Sequence, residues 1–308
     1  MSGGPLSRFF ALSRTTHGLL DIAAPAYCAL LWLGALPQWE TILLSLATAF
    51  AAYTSVYALN DLLGIQCDRE KFLRAGGSPG YAVESSAERH PLAQGLLSVR
   101  SGVLWMATWF ALALIGSYLL NPVIVIVLLA ATALELLYCR LLRVTHLRTL
   151  VSGLVKTSGP LAAILVVDPR PSPFVLLLPI AWLFLWEIGG QNIPSDLNYT
   201  ADDRTAGAKT IPIRFGSETA GIIIVAALAL TVFASGFVPL ISPARLGVLY
   251  GLLSVLLGCV LLLLPALRLY RRKEGALAAR LFDSASYYPL AHFALISAFL
   301  AAEGLMGG

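Results

Sequence analysis

The chain has 308 residues, of which 58% are hydrophobic and only 12% are charged. Soluble domains carry roughly 25% charged residues, so this composition excludes an ordinary soluble protein. The net charge of +4 is modest and gives no reason to expect a nucleic-acid partner.

Uncharged stretches that approach the length needed to cross a bilayer, about 20 residues, recur along the whole chain. Pro, Gly and clusters of charge separate these stretches, which predicts an all-α, polytopic membrane protein built as a nine-helix bundle. The whole chain, residues 1–308, is expected to form a single domain. The predicted transmembrane helices cover residues 16–36, 40–60, 101–120, 122–140, 147–167, 172–194, 218–240, 245–268 and 283–303.

The basic residues collect on one side of these predicted helices. If the N-terminus is inside, every Lys and Arg except Lys156, Arg170 and Arg245 precedes the first helix or lies in a segment that faces inward. Because inner loops are enriched in Lys and Arg, this pattern predicts the N-terminus inside and the C-terminus outside, in a bacterial inner membrane. The two long inner loops, 61–100 and 196–217, also carry acidic clusters, which indicates that the function lies on the inner face.

Two pairs of aspartates occur at matching positions in the chain. Asp61 and Asp68 follow the second predicted helix, Asp196 and Asp203 follow the sixth, and an arginine follows the second aspartate of each pair. Repeated helix groups of this kind are common in membrane proteins, so the match predicts a diverged internal repeat. The repeats would cover about residues 16–140 and 147–268, followed by the ninth helix at 283–303.

The spacing within each pair predicts how the carboxylates are arranged. Seven residues make two helical turns, so both carboxylates of a pair share one stripe of a helix that continues past the apolar segment. Carboxylates that face a common cavity repel one another, and a cation must therefore neutralise them. Mg²⁺ held by carboxylates and substrate phosphates fits this requirement. The simpler alternative is that the aspartates are solvated charges at helix ends.

The residues around the first pair, NDLLGIQCD, resemble the first aspartate-rich motif of the UbiA superfamily of intramembrane prenyltransferases, usually written NDxxDxxxD. The stretch DDRTAGAKTIPIRFG, residues 202–216, resembles the end of that family's second motif. The nine-helix layout is also similar, and it implies a central cavity that opens to the cytoplasmic side. Two positions depart from the family pattern, because Gly64 and Tyr199 replace the middle acids of the two motifs.

The resemblance implies Mg²⁺-dependent transfer of a prenyl group from an isoprenoid diphosphate to a lipophilic, often aromatic acceptor, with release of diphosphate. The expected partners are these two substrates and membrane lipids, and the expected cofactor is Mg²⁺. It assigns catalysis and metal binding to Asp61, Asp68, Asp196 and Asp203. It assigns diphosphate binding to Asn60, Asn192, Arg69, Lys156, Arg204 and Lys209.

Other side chains have roles that the sequence leaves open. Lys156 lies within the fifth predicted helix, where a charge requires a partner. It would either contact a substrate phosphate or the acceptor, or form an ion pair with Glu135 or Glu187. His90 lies in the first long loop, which the resemblance suggests caps the cavity. Basic residues expected mainly to anchor the inner helix ends are Arg14, Arg140, Arg143 and Arg148. Aromatic rings that could shield a prenyl cation are Tyr53, Tyr57, Tyr138 and Tyr199.

Two other function classes are compatible with acids in a membrane bundle. An ion-coupled transporter would also need them, although transporter sites usually lie near the bilayer midplane. A CDP-alcohol-type membrane phosphotransferase would use aspartates and a divalent ion, but its Asp-Gly pattern is absent from this sequence. The departures at Gly64 and Tyr199 also allow a scaffold that has lost activity. The acceptor, the prenyl chain length and the oligomeric state do not follow from the sequence.

Overall fold

The computed structural model describes residues 4–75, 81–84 and 89–306, and the regular secondary structure in these residues is helical throughout. Nine helical segments in this part of the chain are long and apolar enough to cross a membrane, as the sequence predicts. Numbered span 1 to span 9 in chain order, they cover Thr15–Leu33, Trp39–Glu70, Val99–Leu120, Pro122–Leu141, Arg148–Val167, Pro173–Asn198, Ile211–Ser235, Gly247–Arg272 and Gly275–Glu303.

Several spans are composite, and short helices lie outside them. Span 1 combines Thr15–Asp21 with Ala23–Leu33, and span 9 combines Gly275–Ser286 with Tyr288–Met306. Spans 6 and 8 each contain one π-helical turn, at Glu187–Asn192 and Cys259–Leu263 respectively. The helices and single helical turns outside the spans are Pro5–Leu12, Ala82–Glu84, Thr200–Thr205 and Val238–Ile241.

The helices extend further than predicted at the end of the bundle that carries the aspartates. Helix Trp39–Ala75 continues well beyond the predicted end at residue 60. A short helical segment that begins at Ile211 precedes the predicted start of span 7 at 218, and Gly216, with φ of 83° and ψ of 165°, separates the two. At the opposite end span 7 stops at Ser235 instead of 240. The predicted bounds follow the apolar stretch alone, whereas a helix can continue into polar sequence after the apolar layer ends.

The tight turn between spans 3 and 4 illustrates how local sequence sets a boundary. The Oδ1 atom of Asn121 accepts a hydrogen bond of 3.0 Å from the backbone N–H of Val123 and so caps span 4. Pro122 occupies the first helical turn, where its missing N–H costs nothing. The side-chain amide of Asn121 also donates to the backbone carbonyl of Leu165, 2.9 Å away, which ties this turn to span 5.

The largest buried apolar cluster joins spans 1, 5, 6, 7, 8 and 9 and is centred on large side chains such as Tyr27, Trp182 and Trp186. Spans 2 and 3 pack against each other around smaller clusters. Large apolar side chains such as Phe174 and Val248 are exposed on the outside of the bundle. A bundle with an apolar exterior and all of its spans helical is the arrangement that lipid requires.

Spans 2 and 3 approach closely because Gly116 of span 3 lacks a side chain. A Cβ at this position would lie only 3.0 Å from the Cβ of Thr48 and closer still to its hydroxyl. Small residues at helix contacts permit this kind of approach in membranes.

Gly116→Ala should therefore lower the thermal unfolding temperature of the purified protein in detergent, because overpacking costs about 1–3 kcal/mol.

Gly251→Ala is the matched control for this substitution. The added Cβ would lie 3.4 Å from its nearest neighbour, which is an ordinary contact. Equal unfolding temperatures for the two variants would contradict the close packing of Gly116 against Thr48.

Candidate functional site

A cavity of about 510 Å³ lies among the spans at the end of the bundle that carries the two aspartate pairs. Side chains of spans 1, 2, 4, 5, 6 and 9 form its wall, together with parts of the segment between spans 2 and 3. The acids in this wall are Asp21, Asp68, Glu135, Glu187, Asp196, Asp202 and Asp203. The bases in it are Arg14, Arg89, Arg140, Arg143, Arg148 and Lys156. The wall therefore carries many charged groups of both signs.

The first aspartate pair meets a histidine from the following segment. Nδ1 of His90 lies 2.6 Å from Oδ1 of Asp61 and 3.1 Å from Oδ2 of Asp68. One oxygen from each aspartate and one nitrogen of His90 all lie within 4.8 Å of one another, close enough to share a metal ion. Gly64 leaves room for this arrangement, because a Cβ there would lie 2.8 Å from Oδ2 of Asp68. Asp61 is buried behind His90, whereas Asp68 lines the cavity itself.

His90 provides positive charge to this pair. Burial disfavours the imidazolium and lowers its pKa, but hydrogen bonds and charge attraction from Asp61 and Asp68 outweigh burial and raise the pKa of His90 above its usual 6.5. The backbone of His90 is left-handed, with φ of 55°. Non-glycine residues adopt this conformation rarely and at some cost, which the contacts with the two carboxylates offset.

The second aspartate pair lies where span 6 ends. Asp196 and Asp203 are both buried and both line the cavity. The prediction of one uninterrupted helix through the pair is wrong here, because Tyr199 has non-helical angles, φ of −102° and ψ of 15°. Thr200 lies directly after the interruption, and its hydroxyl donates to the backbone carbonyl of Asp196 at 2.9 Å.

Arg148 accompanies the second pair. It is buried, and its Nη1 atom lies 3.6 Å from Oδ1 of Asp196. Its guanidinium carbon lies 4.1 Å from the ring centroid of Tyr138, a distance at which cation–π attraction operates. From its position in the sequence, Arg148 is expected mainly to anchor the helix end. The structure instead places it inside the charged wall of the cavity.

Both asparagines predicted to bind diphosphate line the cavity. The amide nitrogen of Asn60 donates to Oε1 of Glu135 at 2.5 Å, and its oxygen accepts from Nη2 of Arg14 at 3.2 Å. The amide nitrogen of Asn192 donates to the hydroxyl of Tyr138 at 3.1 Å. These contacts fix the orientation of each amide at the edge of the two aspartate pairs.

Three of the predicted phosphate ligands lie elsewhere. Arg69, Arg204 and Lys209 are exposed and do not line the cavity. The backbone N–H of Lys209 donates to the carbonyl of Leu142 at 2.7 Å, which holds its segment against the end of span 4. The assignment of these three residues to diphosphate binding remains a prediction. Arginines from spans and loops on the cavity wall are better placed for that contact.

Lys156 pairs with Asp21, an acid other than the two that its position in the sequence suggests. Its Nζ atom lies 2.7 Å from Oδ2 of Asp21 in span 1, and the hydroxyl of Tyr57 donates to the same carboxylate oxygen. The ion pair with Glu135 or Glu187 that the sequence left open is therefore not the one formed. Asp21 is only 2% exposed, so this pair lies deep in the bundle.

Helical spacing could have identified these additional cavity residues. His17 and Asp21 are four residues apart, which places them on one face of helix Thr15–Asp21. Arg14, with a left-handed backbone at φ of 45°, lies just before this helix. Arg148 and Ser152 show the same spacing in span 5. In the sequence these residues stand out only as interruptions of apolar runs, because nothing along one helix identifies the partner on another.

The segment between spans 2 and 3 is attached to the wall of the cavity. The hydroxyl of Tyr81 donates to Oγ of Ser195 at 2.8 Å, and Nη1 of Arg89 donates to the hydroxyl of Tyr199 at 2.6 Å. The carboxylate of Asp283 in span 9 accepts two backbone hydrogen bonds from this segment. These contacts hold its described residues beside the two aspartate pairs.

The four tyrosines proposed from the sequence all contribute to the cavity wall, namely Tyr53, Tyr57, Tyr138 and Tyr199. The rings of Tyr53 and Tyr57 are stacked, with centroids 6.4 Å apart. Aromatic faces attract cations, so this wall can tolerate positive charge in a bound molecule. Their role in shielding a prenyl cation remains a prediction.

The sequence matches the model of the UbiA prenyltransferase family over residues 22–296, and the chain belongs to this family. No curated protein matches the sequence. Family membership agrees with the nine spans and with the two aspartate motifs that converge on one cavity.

Solved structures share the fold at low sequence identity. A UbiA homologue from Aeropyrum pernix, in its apo form, has 20% identity and a TM-score of 0.72 over 94% of this chain and 98% of its own. A UbiA homologue from Archaeoglobus fulgidus bound to DMAPP and Mg²⁺ has 18% identity and a TM-score of 0.69 over 94% and 99%. Digeranylgeranylglyceryl phosphate synthase has 15% identity and a TM-score of 0.67 over 96% and 99%.

The ion pair between Asp21 and Lys156 should stabilise the fold as well as the cavity. Asp21→Asn leaves the lysine without this buried counter-charge, and removing one partner of a buried pair typically costs about 3–5 kcal/mol. The variant should unfold at a clearly lower temperature in detergent. The double variant Asp21→Asn with Lys156→Met should recover part of the loss, whereas strictly additive effects would contradict the pairing.

Proposed function

We propose that this protein transfers a prenyl group from an isoprenoid diphosphate to a lipophilic, aromatic acceptor and releases diphosphate. One observation carries the proposal: three motif aspartates from segments far apart in the sequence, Asp68, Asp196 and Asp203, line a single charged cavity inside an apolar bundle. The fourth, Asp61, contacts His90 of the cavity wall. The Archaeoglobus fulgidus homologue, which was solved with DMAPP and with GPP in the presence of Mg²⁺, supports this class of donor substrate.

The donor atoms of the site fit a magnesium ion. Asp61 and Asp68 offer carboxylate oxygens, and Oδ2 of Asp61 is buried without a hydrogen-bond partner among the described residues. Asn192 likewise has a buried amide oxygen without such a partner. Oxygen-rich sites with carboxylates favour Mg²⁺, and we assign metal binding to Asp61, Asp68, Asp196 and Asp203. Bound there, Mg²⁺ would offset the negative charge that develops on the departing diphosphate.

The side chains of the cavity would perform the remaining tasks. In the reaction the allylic carbon–oxygen bond breaks and its electron pair leaves with the diphosphate. The acceptor supplies the electron pair of the new bond and loses a proton. Arg148 and Arg14 would contact the anionic leaving group from the wall. Tyr53 and Tyr57 would exclude water from the allylic cation and attract its charge.

We further propose that the motif end of the bundle faces the cytoplasm of a bacterial cell, with the N-terminus inside and the C-terminus outside. The distribution of Lys and Arg supports this orientation, because these residues concentrate in the segments at the motif end. A substrate with an apolar tail would then place its diphosphate in the cavity and its tail among the spans or in lipid.

The proposal is tested with Asp61→Asn and Asp203→Asn in the purified protein. Both variants should lower diphosphate release from prenyl diphosphates in the presence of Mg²⁺ by at least about 100-fold, because the metal supplies several kcal/mol of charge stabilisation. Chelation of Mg²⁺ with EDTA should have a similar effect on the unchanged protein.

Asp168→Asn is the control, because Asp168 accepts a hydrogen bond from Trp32 at the opposite end of the bundle and does not line the cavity. Near-normal turnover in both motif variants would refute the role assigned to the aspartates. Ion flux in liposomes without any diphosphate release would favour the transporter instead.

A further inference from the structure

The deep part of the cavity contains a carboxylate that the proposed metal and diphosphate sites do not use. Glu187 begins the π-helical turn of span 6, lines the cavity and is only 6% exposed. Its Oε1 atom accepts a hydrogen bond of 2.6 Å from the hydroxyl of Ser152. Its Oε2 atom is buried and has no hydrogen-bond partner among the described residues. Such an atom is costly unless a ligand donates to it.

Glu187 lies at a different depth from the aspartates. Asp196 is nine residues further along span 6, which corresponds to about 13 Å at a helical rise of about 1.5 Å per residue. In the proposed function the donor diphosphate lies at the aspartates, so a ligand that contacts Glu187 does so at a different depth of the same cavity. This deeper place suits the second substrate, the acceptor.

The charge at this depth selects against an anion. Asp21 has two close basic partners, because Nζ of Lys156 lies 2.7 Å and Nε2 of His17 lies 3.5 Å from its Oδ2 atom. Glu187, by contrast, forms no close ion pair among the described residues, so an anion placed at its Oε2 atom would meet a carboxylate without a directly paired cation. An acceptor that brings a carboxylate or phosphate here would be repelled, whereas a neutral hydroxyl would satisfy Oε2 of Glu187.

We propose that Glu187 binds the acceptor through a hydroxyl group, and that the acceptor is an uncharged phenol or quinol rather than a carboxylate-bearing ring or a phosphate lipid. The stacked rings of Tyr53 and Tyr57 line the same cavity and offer flat apolar surface to an aromatic ring. This inference rests on the proposed function, because it names the acceptor class of that reaction.

The test measures acceptor binding separately from chemistry. The purified full chain in detergent, without Mg²⁺ or prenyl diphosphate, is titrated with methyl 4-hydroxybenzoate and with 4-hydroxybenzoate, which share a ring and hydroxyl and differ in charge. The unchanged protein should bind the ester at least about tenfold more tightly than the acid, because like charges repel. In Glu187→Gln this preference should fall below about threefold, since the amide keeps an acceptor oxygen without the charge.

Two further variants are controls for misfolding of the protein and for partition of the two compounds into detergent. Ser152→Ala keeps the charge of Glu187 but removes the hydrogen bond that orients it, so it should weaken binding of the ester and retain the preference over the acid. Asp168→Asn removes an acid far from the cavity and should retain both the affinity and the preference of the unchanged protein.

A preference for the acid, equal binding of the two compounds, absence of saturable ester binding, or an unchanged preference in Glu187→Gln would each overturn the inference.

Turnover is measured in parallel. Diphosphate release without any ester preference refutes only the acceptor class. An ester preference lost in Glu187→Gln, without prenyl transfer to any acceptor, shows that Glu187 binds a neutral phenol but refutes the proposed function, and the assignment of that phenol as the acceptor fails with it.

Discussion

Charge compensation between helices is the interaction on which the rest of this structure depends. An isolated ionised group at membrane depth is costly, so an acid within an apolar bundle needs a cation nearby. Asp21 of span 1 faces Lys156 of span 5, and Asp196 of span 6 faces Arg148. Because each pair joins two spans, the contacts that assemble the bundle also assemble the cavity. Fold and site are stabilised by the same interactions.

This compensation is incomplete, and the polar atoms that remain without partners are available to bind ligands. Buried oxygens of Asp61, Asn192 and Glu187 have no hydrogen-bond partner within the described part of the chain. The first two lie beside the aspartate motifs, where a cation and a diphosphate are proposed to bind, and the third lies deeper in the cavity. Polar atoms without hydrogen-bond partners at two depths of one cavity are expected if two ligands bind there, one at each depth, and contact each other.

Much of the fold could be predicted because hydropathy is a property of each segment by itself. All nine spans lie where apolar stretches predict them. The bounds were missed where helix continues into polar sequence, as in Trp39–Ala75, because lipid contact no longer distinguishes helix from loop there. The break at Tyr199 was missed because the seven-residue spacing of Asp196 and Asp203 is also compatible with a continuous helix. The internal repeat remains a prediction.

The sequence by itself determined the all-helical membrane architecture, the family and the two repeated aspartate pairs, since these follow from composition and from spacing along one helix. Only the tertiary structure decided the partners: His90 for Asp61, Asp21 for Lys156, and a buried place in the cavity for Arg148. Spacing specifies which side chains share a face of their own helix. Which face another helix presents to them depends on packing between spans distant in the chain, and no local pattern contains that information.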